Sequence, residues 1–173
     1  MIKKVFRRYG LPEEIAYLPH LESGFNHKAH SHAGARGVWQ LLKSNARYQG
    51  LSVSRWNDQR LNTYKSTVAA AKILKKLKRD HKKWPLAITA YNYGTNGMRR
   101  AIKKYGHNYM TIRKRHKTRI FGFAVKNYYP SFLAVKNIAI RSERGGRYKK
   151  TSKNKSSTVA MRKRRSSKGR LSL

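Results

Sequence analysis

The sequence predicts a mainly α-helical domain over residues 1–141, followed by a basic tail over residues 142–173. Apolar residues recur at helical spacing through the first 140 residues, and no stretch alternates apolar and polar residues as a half-buried strand does. Residues 141–173 contain thirteen Lys or Arg residues, a single acid and many Ser and Gly residues. This composition is typical of a disordered segment. The length of 173 residues therefore suits one domain with a tail.

The first predicted helix begins in the segment Leu11-Pro12-Glu13-Glu14. Proline suits the first turn of a helix, and two acids there favour the positive end of the helix dipole. We expect this helix to end near Gly24. A loop is predicted over residues 26–37, and a second helical stretch over residues 37–42.

The strongest predicted helix covers residues 62–78, because its apolar residues share one face while lysines occupy the other. Shorter helices are predicted over residues 86–90, 98–104 and 128–140. The residues of the strongest helix that are expected to face the core are Val68, Ala71, Ile73, Leu74 and Leu77.

The charge balance is extreme, with 42 Lys and Arg against 6 Asp and Glu, for a net charge of +36. Such a charge implies anionic surroundings, which include nucleic acid, phosphate-bearing polymers and acidic lipid. The chain has no cysteine, which excludes disulfides and thiolate zinc sites. No run approaches the roughly 20 apolar residues of a membrane helix.

The chain start, residues 1–8, is basic and lacks the apolar segment of a signal peptide. We therefore expect either another export route or a native N-terminus that lies further upstream.

Six carboxylates serve the whole chain, so each can be considered in turn. Five of them have ordinary roles. Glu13 and Glu14 are expected to interact with the helix dipole in a first turn, and Asp58 to cap a helix. Asp80 is expected to form a solvated ion pair, and Glu143 lies in the tail. Only Glu22 is unusual.

Glu22 is predicted to lie on the apolar face of its helix, close to the C-terminal end. Burial and the negative end of the dipole both raise the pKa of a carboxyl group, which suits a general acid. The alternative is a buried Glu paired with one of the many Lys or Arg residues.

Four segments carry a family resemblance. They are Glu22-Ser23-Gly24-Phe25, Ala29-His30-Ser31, Gly34-Ala35-Arg36-Gly37-Val38-Trp39-Gln40 and Ala90-Tyr91-Asn92-Tyr93-Gly94. Together they resemble the lytic transglycosylase catalytic domain, whose Glu-Ser, Gly-x-x-Gln and Ala-Tyr-Asn-x-Gly blocks they match in order. Ser31 and Gln40 follow Glu22 by nine and eighteen positions, as in the family. The resemblance covers residues 10–140 and is closest to the murein transglycosylase D branch.

The resemblance implies a lysozyme-like, goose-type helical domain with a long sugar-binding cleft. In such a domain Glu22 protonates the oxygen that links N-acetylmuramic acid to N-acetylglucosamine in peptidoglycan. It then acts as base on the muramic acid 6-hydroxyl, which gives a 1,6-anhydro product. The substrate-binding residues that the resemblance implies are Ser23, Ser31, Gln40, Tyr91, Asn92 and Tyr128, with no cofactor and no metal.

Three other functions stay open on the sequence. They are hydrolysis of the same bond, as in lysozyme, nucleic-acid binding by a reused domain, and a catalytically silent wall-binding module. Ordinary glycosidases need a second carboxylate roughly 5–9.5 Å from the first, and Asp58 is the one candidate. A lone carboxylate favours transglycosylation, since an internal hydroxyl held near the reacting carbon replaces an activated water. The expected partner is peptidoglycan, in the bacterial cell envelope, with the enzyme acting as a monomer. The basic surface would draw it to anionic wall polymers or lipopolysaccharide, or the tail would bind nucleic acid.

Other side chains near these segments admit two interpretations. His27, His30 and His32 are expected to be structural or to face substrate rather than to bind a metal, which needs further ligands of suitable geometry. The rings of Trp39 and Tyr93 would either stack on sugar or belong to the core.

Overall fold

Helices dominate residues 1–144, the part of the chain that the computed structural model describes. Within this range there is no β-strand, and three isolated bridges join single residue pairs in the loops. The prediction of a mainly α-helical domain is therefore confirmed. The predicted disorder of the tail concerns residues 142–173, of which 145–173 lie outside the described residues.

The N-terminal part of the domain is made of short helices. They are α1 (Ile2–Arg8), a 3₁₀ helix (Glu13–Tyr17), α2 (Leu18–Ser23) and α3 (Lys43–Tyr48). Instead of one helix from Leu11 to Gly24, the chain forms a 3₁₀ turn and then α2. Pro19 has no N–H to donate to the preceding turn, which prevents one continuous α-helix. Gly24 ends α2 in the left-handed conformation, close to the predicted position.

The predicted helix over residues 37–42 is wrong. Residues 37–40 form a turn between Arg36 and Leu41, whose backbones exchange two hydrogen bonds of 3.1 Å. Gly37 and Gln40 have φ values of +76° and +45°, which an α-helix does not accommodate. Val38, Trp39 and Leu41 of this segment are buried without forming a helix, and the next helix, α3, begins only at Lys43.

Longer helices form the rest of the domain. After a second 3₁₀ helix (Gln59–Leu61) they are α4 (Thr63–His81), α5 (Trp84–Tyr93), α6 (Thr95–Tyr105), α7 (Tyr109–Arg115) and α8 (Phe123–Glu143). The predicted helix over residues 62–78 is confirmed as α4, and the Asn62 side chain caps it by accepting from the Lys65 N–H. The sequence had not indicated α1 or α7.

Helix α4 lies at the centre, packed against α1 and α5, and α5 also contacts α6 and α8. Three successive alanines on α4, residues 69–71, are fully buried, which brings the neighbouring helix close. Of the predicted inward face of α4, Ala71, Leu74 and Leu77 are buried, whereas Val68 and Ile73 are only half-buried. Two adjoining apolar clusters surround this helix.

The two ends of the described chain meet. Lys3 of α1 and the hydroxyl of Tyr17 both lie 2.6 Å from the carboxylate of Glu143, which is the last residue of α8. Glu143 was expected in the tail, but α8 continues two residues past the predicted boundary. No helix within residues 1–144 has the length and apolar character needed to cross a membrane.

Candidate active site

Glu22 lines a surface cleft of about 480 Å³ from the last turn of α2. The loop over residues 30–41 forms one side of the cleft, and the C-terminal end of α5 forms another. The predicted site residues in the lining are Glu22, Ser31, Gln40, Tyr91 and Asn92. Segments up to 70 positions apart in the sequence therefore converge on one carboxylate.

Burial raises the pKa of Glu22 to about 7, and a hydrogen bond from Tyr128 opposes that rise. The Tyr128 hydroxyl, on α8, donates to Oε1 of Glu22. Among residues 1–144, no Lys or Arg lies within ion-pair distance of this carboxylate. The interpretation of Glu22 as half of a buried ion pair is therefore wrong for the described chain. The carboxyl group therefore changes its protonation state near neutral pH.

Two tyrosines flank Glu22 and stay neutral. Burial and the nearby charge of Glu22 raise the pKa of both Tyr91 and Tyr128 well above the usual range. Tyr91 donates a 2.9 Å hydrogen bond to the backbone carbonyl of Trp39, which joins α5 to the turn over residues 37–40. Each tyrosine therefore acts as a permanent hydrogen-bond donor.

The loop over residues 30–41 is built by short-range hydrogen bonds. Ser31 and Ala35 exchange two bonds of 3.0 Å, one through the Ser31 backbone N–H and one to its hydroxyl oxygen. The side-chain amide of Gln40 donates to the carbonyl of Gly37 at 2.9 Å and to that of Ala29 at 3.3 Å. A hydroxyl that accepts one bond still has a hydrogen to donate, so Ser31 can offer a donor to a ligand in the cleft.

A buried ion pair supports this loop from below. Arg60 binds both carboxylate oxygens of Asp58, at 2.8 and 2.7 Å, and donates to the backbone carbonyls of Gly34 at 2.8 Å and Leu41 at 3.1 Å. Arg60 and Arg36 hold the pKa of Asp58 below its usual range. Asp58 also caps the second 3₁₀ helix, as predicted. It does not line the cleft, and Glu22 is the one acid among the described residues that does.

Other predicted residues lie beside the cleft. The Ser23 hydroxyl donates to the carbonyl of Val38 at 2.9 Å and is absent from the cleft lining. Tyr128 is buried behind Glu22 and reaches the cleft only through it. The structure therefore places these two side chains where they hold the carboxylate and the loop.

Of the two aromatic residues left open by the sequence, Trp39 belongs to the core and Tyr93 is partly buried against it. Trp39 is fully buried, stacks on Phe6 at 5.3 Å and donates from its indole N–H to Thr67 at 2.9 Å. Tyr93 packs edge-on against Phe121 at 4.9 Å. Neither ring lines the cleft.

The three loop histidines, His27, His30 and His32, are exposed. Within the described range, no group of three His, Cys, Asp or Glu side chains is arranged to hold a metal ion.

Part of the cleft was not anticipated from the sequence. Leu42 and Asn45 reach it from the start of α3, and Ile73 and Leu77 from α4. Ile73 had been assigned to the core because its spacing on α4 is that of an inward-facing residue. Periodicity alone does not separate a residue that faces a core from one that faces a cleft between helices.

These features define a class: a lysozyme-like helical domain with one carboxylate in its cleft. A lytic transglycosylase Slt from Pseudomonas aeruginosa, solved as an inactive mutant, has the same fold with a TM-score of 0.67. It is 19% identical to this chain, and the match covers 84% of this chain and 24% of that one.

Residues 1–112 match the transglycosylase SLT domain family, and the chain belongs to that family. It is 34% identical over 146 residues to membrane-bound lytic murein transglycosylase D of Escherichia coli K12. The same protein of the O6:H1 strain gives the same figures. The match covers 81% of this chain and 31% of each relative, so the chain spans about a third of their length.

Proposed function

We propose that this domain is a peptidoglycan lytic transglycosylase. It cleaves the β-1,4 bond between N-acetylmuramic acid and N-acetylglucosamine and leaves a 1,6-anhydro end, with Glu22 as acid and then base. The observation that carries the proposal is the state of Glu22. It is a half-buried carboxyl group in a cleft, with a pKa of about 7 and no cationic partner among the described residues.

The chemistry follows from that state in two proton transfers. Protonated Glu22 donates to the glycosidic oxygen, the bond from that oxygen to C1 of the muramic acid breaks, and positive charge develops at C1. The Glu22 carboxylate then accepts the proton of the 6-hydroxyl, while the oxygen of that hydroxyl forms a bond to C1. Glu22 ends protonated, as it began, and no water is consumed.

The surrounding residues supply position rather than a second acid. No other carboxylate of the described chain lines the cleft, so the two-carboxylate mechanism has no second member there. Tyr128 fixes the orientation of Glu22 through its hydrogen bond. We propose that Ser31, Gln40 and Asn92, on the cleft wall, contact the sugar and its substituents. Tyr91 and Ser23 act indirectly, because they bind the backbone carbonyls of the loop at Trp39 and Val38.

The relatives support the setting as well as the chemistry. Their names describe membrane-bound enzymes that act on murein, and the solved structure is that of a lytic transglycosylase inactivated by exchange of a glutamate for glutamine. We propose that this domain acts in the bacterial cell envelope. Its net charge of +36 would draw it to anionic wall polymers or lipopolysaccharide.

Digestion of purified sacculi tests the proposal. The expected products are muropeptides lighter by one water than those of a hydrolytic muramidase, and Glu22→Gln abolishes their release. Glu14→Gln is the matched control, because Glu14 is an exposed acid outside the cleft. Reducing ends would identify a hydrolase on the same fold. Cleavage by Glu22→Gln at the rate of the parent would remove Glu22 from the mechanism.

A further inference from the structure

Trp56 lies at the tip of a tight turn and is 89% exposed. The turn is well fixed: the Ser54 N–H donates to the Asn57 carbonyl at 3.1 Å, and the Asn57 N–H donates to the Ser54 hydroxyl at 2.9 Å. Below the tip, Val53 and Asp58 form a bridge, and Val53 is buried in the core. A rigid base therefore holds this indole out in solvent.

An indole has a large apolar surface, and burying it would stabilise the fold. The exposed position of Trp56 gives up this stabilisation. The guanidinium of Arg55 lies 5.4 Å from the centre of the Trp56 ring, which places a cation beside it. A flat apolar ring with an adjacent positive charge matches a ligand that carries both apolar faces and anionic groups.

The turn is connected to the cleft through α3. Leu42 and Asn45 line the cleft, and Tyr48 follows Asn45 by three positions, which places it one turn further along the same helix face. Tyr48 is 77% exposed. Arg47 of α3 donates a 2.8 Å hydrogen bond to the carbonyl of Val53, which ties the helix to the Trp56 turn.

We propose that Tyr48 and Trp56 form an outer binding surface that continues the cleft and holds the glycan strand away from the cleavage point. This inference rests on the proposed function. The apolar face of a pyranose ring stacks on an aromatic ring, and the Arg55 cation pairs with the carboxylates of the peptide stems. A long strand therefore gains contacts that a short fragment does not reach.

Single-stranded nucleic acid also stacks on aromatic rings beside cations. Continuity with the cleft favours the glycan, because Asn45 and Tyr48 share one helix face and Arg47 joins that helix to the turn. Nucleic acid is therefore the competing outcome of the test.

The test measures binding to sacculi in the Glu22→Gln background, where the polymer is not cut. Adding Trp56→Ala is expected to weaken binding roughly tenfold, and Tyr48→Ala to weaken it in the same direction. Met110→Ala is the matched control, since Met110 is an exposed apolar residue of α7 outside the cleft. Circular dichroism melting verifies that each variant remains folded.

A second measurement separates this inference from the proposed function. In the catalytically intact chain, the ratio of kcat/KM on long strands to kcat/KM on a tetrasaccharide should fall about tenfold for Trp56→Ala. An unchanged ratio in an enzyme that still cleaves sacculi overturns the outer surface and leaves the proposed function standing. Trp56-dependent binding of single-stranded DNA, with unchanged binding to sacculi, overturns it in favour of nucleic acid. Absence of any cleavage by the parent chain counts against the proposed function instead.

Discussion

Arg60 donates hydrogen bonds to both oxygens of the Asp58 carboxylate. The same guanidinium donates to the backbone carbonyls of Gly34 and Leu41. Both charged side chains are nearly inaccessible, with exposures of 5% and 6%. The loop that places Ser31 and Gln40 in the cleft therefore rests on one buried ion pair.

Asp58→Asn should destabilise the domain by about 3 kcal/mol, because it leaves the buried Arg60 without its counter-charge. Urea denaturation at neutral pH measures this. Glu13→Gln is the control: it breaks the exposed Arg7–Glu13 pair and should cost less than about 1 kcal/mol. Equal effects of the two changes would show that the Asp58 pair does not support the loop.

Gly37→Ala should be among the most damaging small substitutions in the cleft loop. An added methyl group would collide with the backbone carbonyl of Arg60, and the φ of +76° is strained for alanine, so we expect a loss of at least about 4 kcal/mol. Gly34→Ala is the matched control. Its φ is +78° with open space around it, so only the backbone cost of about 1–2 kcal/mol remains. Thermal melts of the Gly37→Ala and Gly34→Ala variants measure the difference between their losses of stability. Equal losses would show that the Arg60 backbone moves away from the added methyl group.

Tyr128→Phe should shift the pH profile of kcat/KM. Activity is expected to fall as pH rises through about 7, where Glu22 loses the proton that it must donate. The Tyr128 hydrogen bond lowers the pKa of Glu22, so its removal moves this alkaline limb to higher pH. Initial rates on sacculi between pH 5 and pH 9 would show it. A shift to lower pH would mean that Tyr128 does not stabilise the charged form.

Glu22→Gln should stabilise the folded domain at alkaline pH. The pKa of Glu22 is raised from 4.5 to about 7 in the folded protein. The free energy of unfolding therefore falls as the pH rises from 4.5 through about 7. Above pH 7 the loss amounts to roughly 3 kcal/mol. The Glu22→Gln variant does not show this loss, because glutamine has no charge to bury. Chemical denaturation at pH 4 and pH 8 tests this. A gain of the same size at both pH values would contradict the assigned burial of the charge.

Much of the cleft could be predicted because its residues lie in short sequence blocks. Glu22, Ser31, Gln40, Tyr91 and Asn92 are brought together on the cleft wall, as the family resemblance implied. Burial on the apolar face of a helix also indicated that the pKa of Glu22 is raised. The cleft residues were thus predicted from the family resemblance, and the raised pKa of Glu22 from its place on the helix.

The turn over residues 37–40 could not be predicted from local pattern. Val38, Trp39 and Leu41 have spacing that a buried helix also shows, and only distant partners resolve the ambiguity. The carbonyl of Trp39 is bound by a side chain 52 positions further on, and the loop carbonyls are bound by Arg60. Long-range hydrogen bonds of this kind leave no periodic trace in the sequence.

Trp39 has consequences for how this domain can evolve. Its indole is stacked in the interior and bonded to α4, while its own carbonyl anchors Tyr91 at the cleft. A mutation at position 39 keeps that backbone carbonyl but removes the indole packing that holds it in place, so it would act on the fold and on the position of Tyr91 together. Diversification of substrate preference is then confined to side chains that the interior does not need. Leu42 and Asn45, exposed at the cleft edge, are such positions, and a lineage could vary them at little cost to the fold.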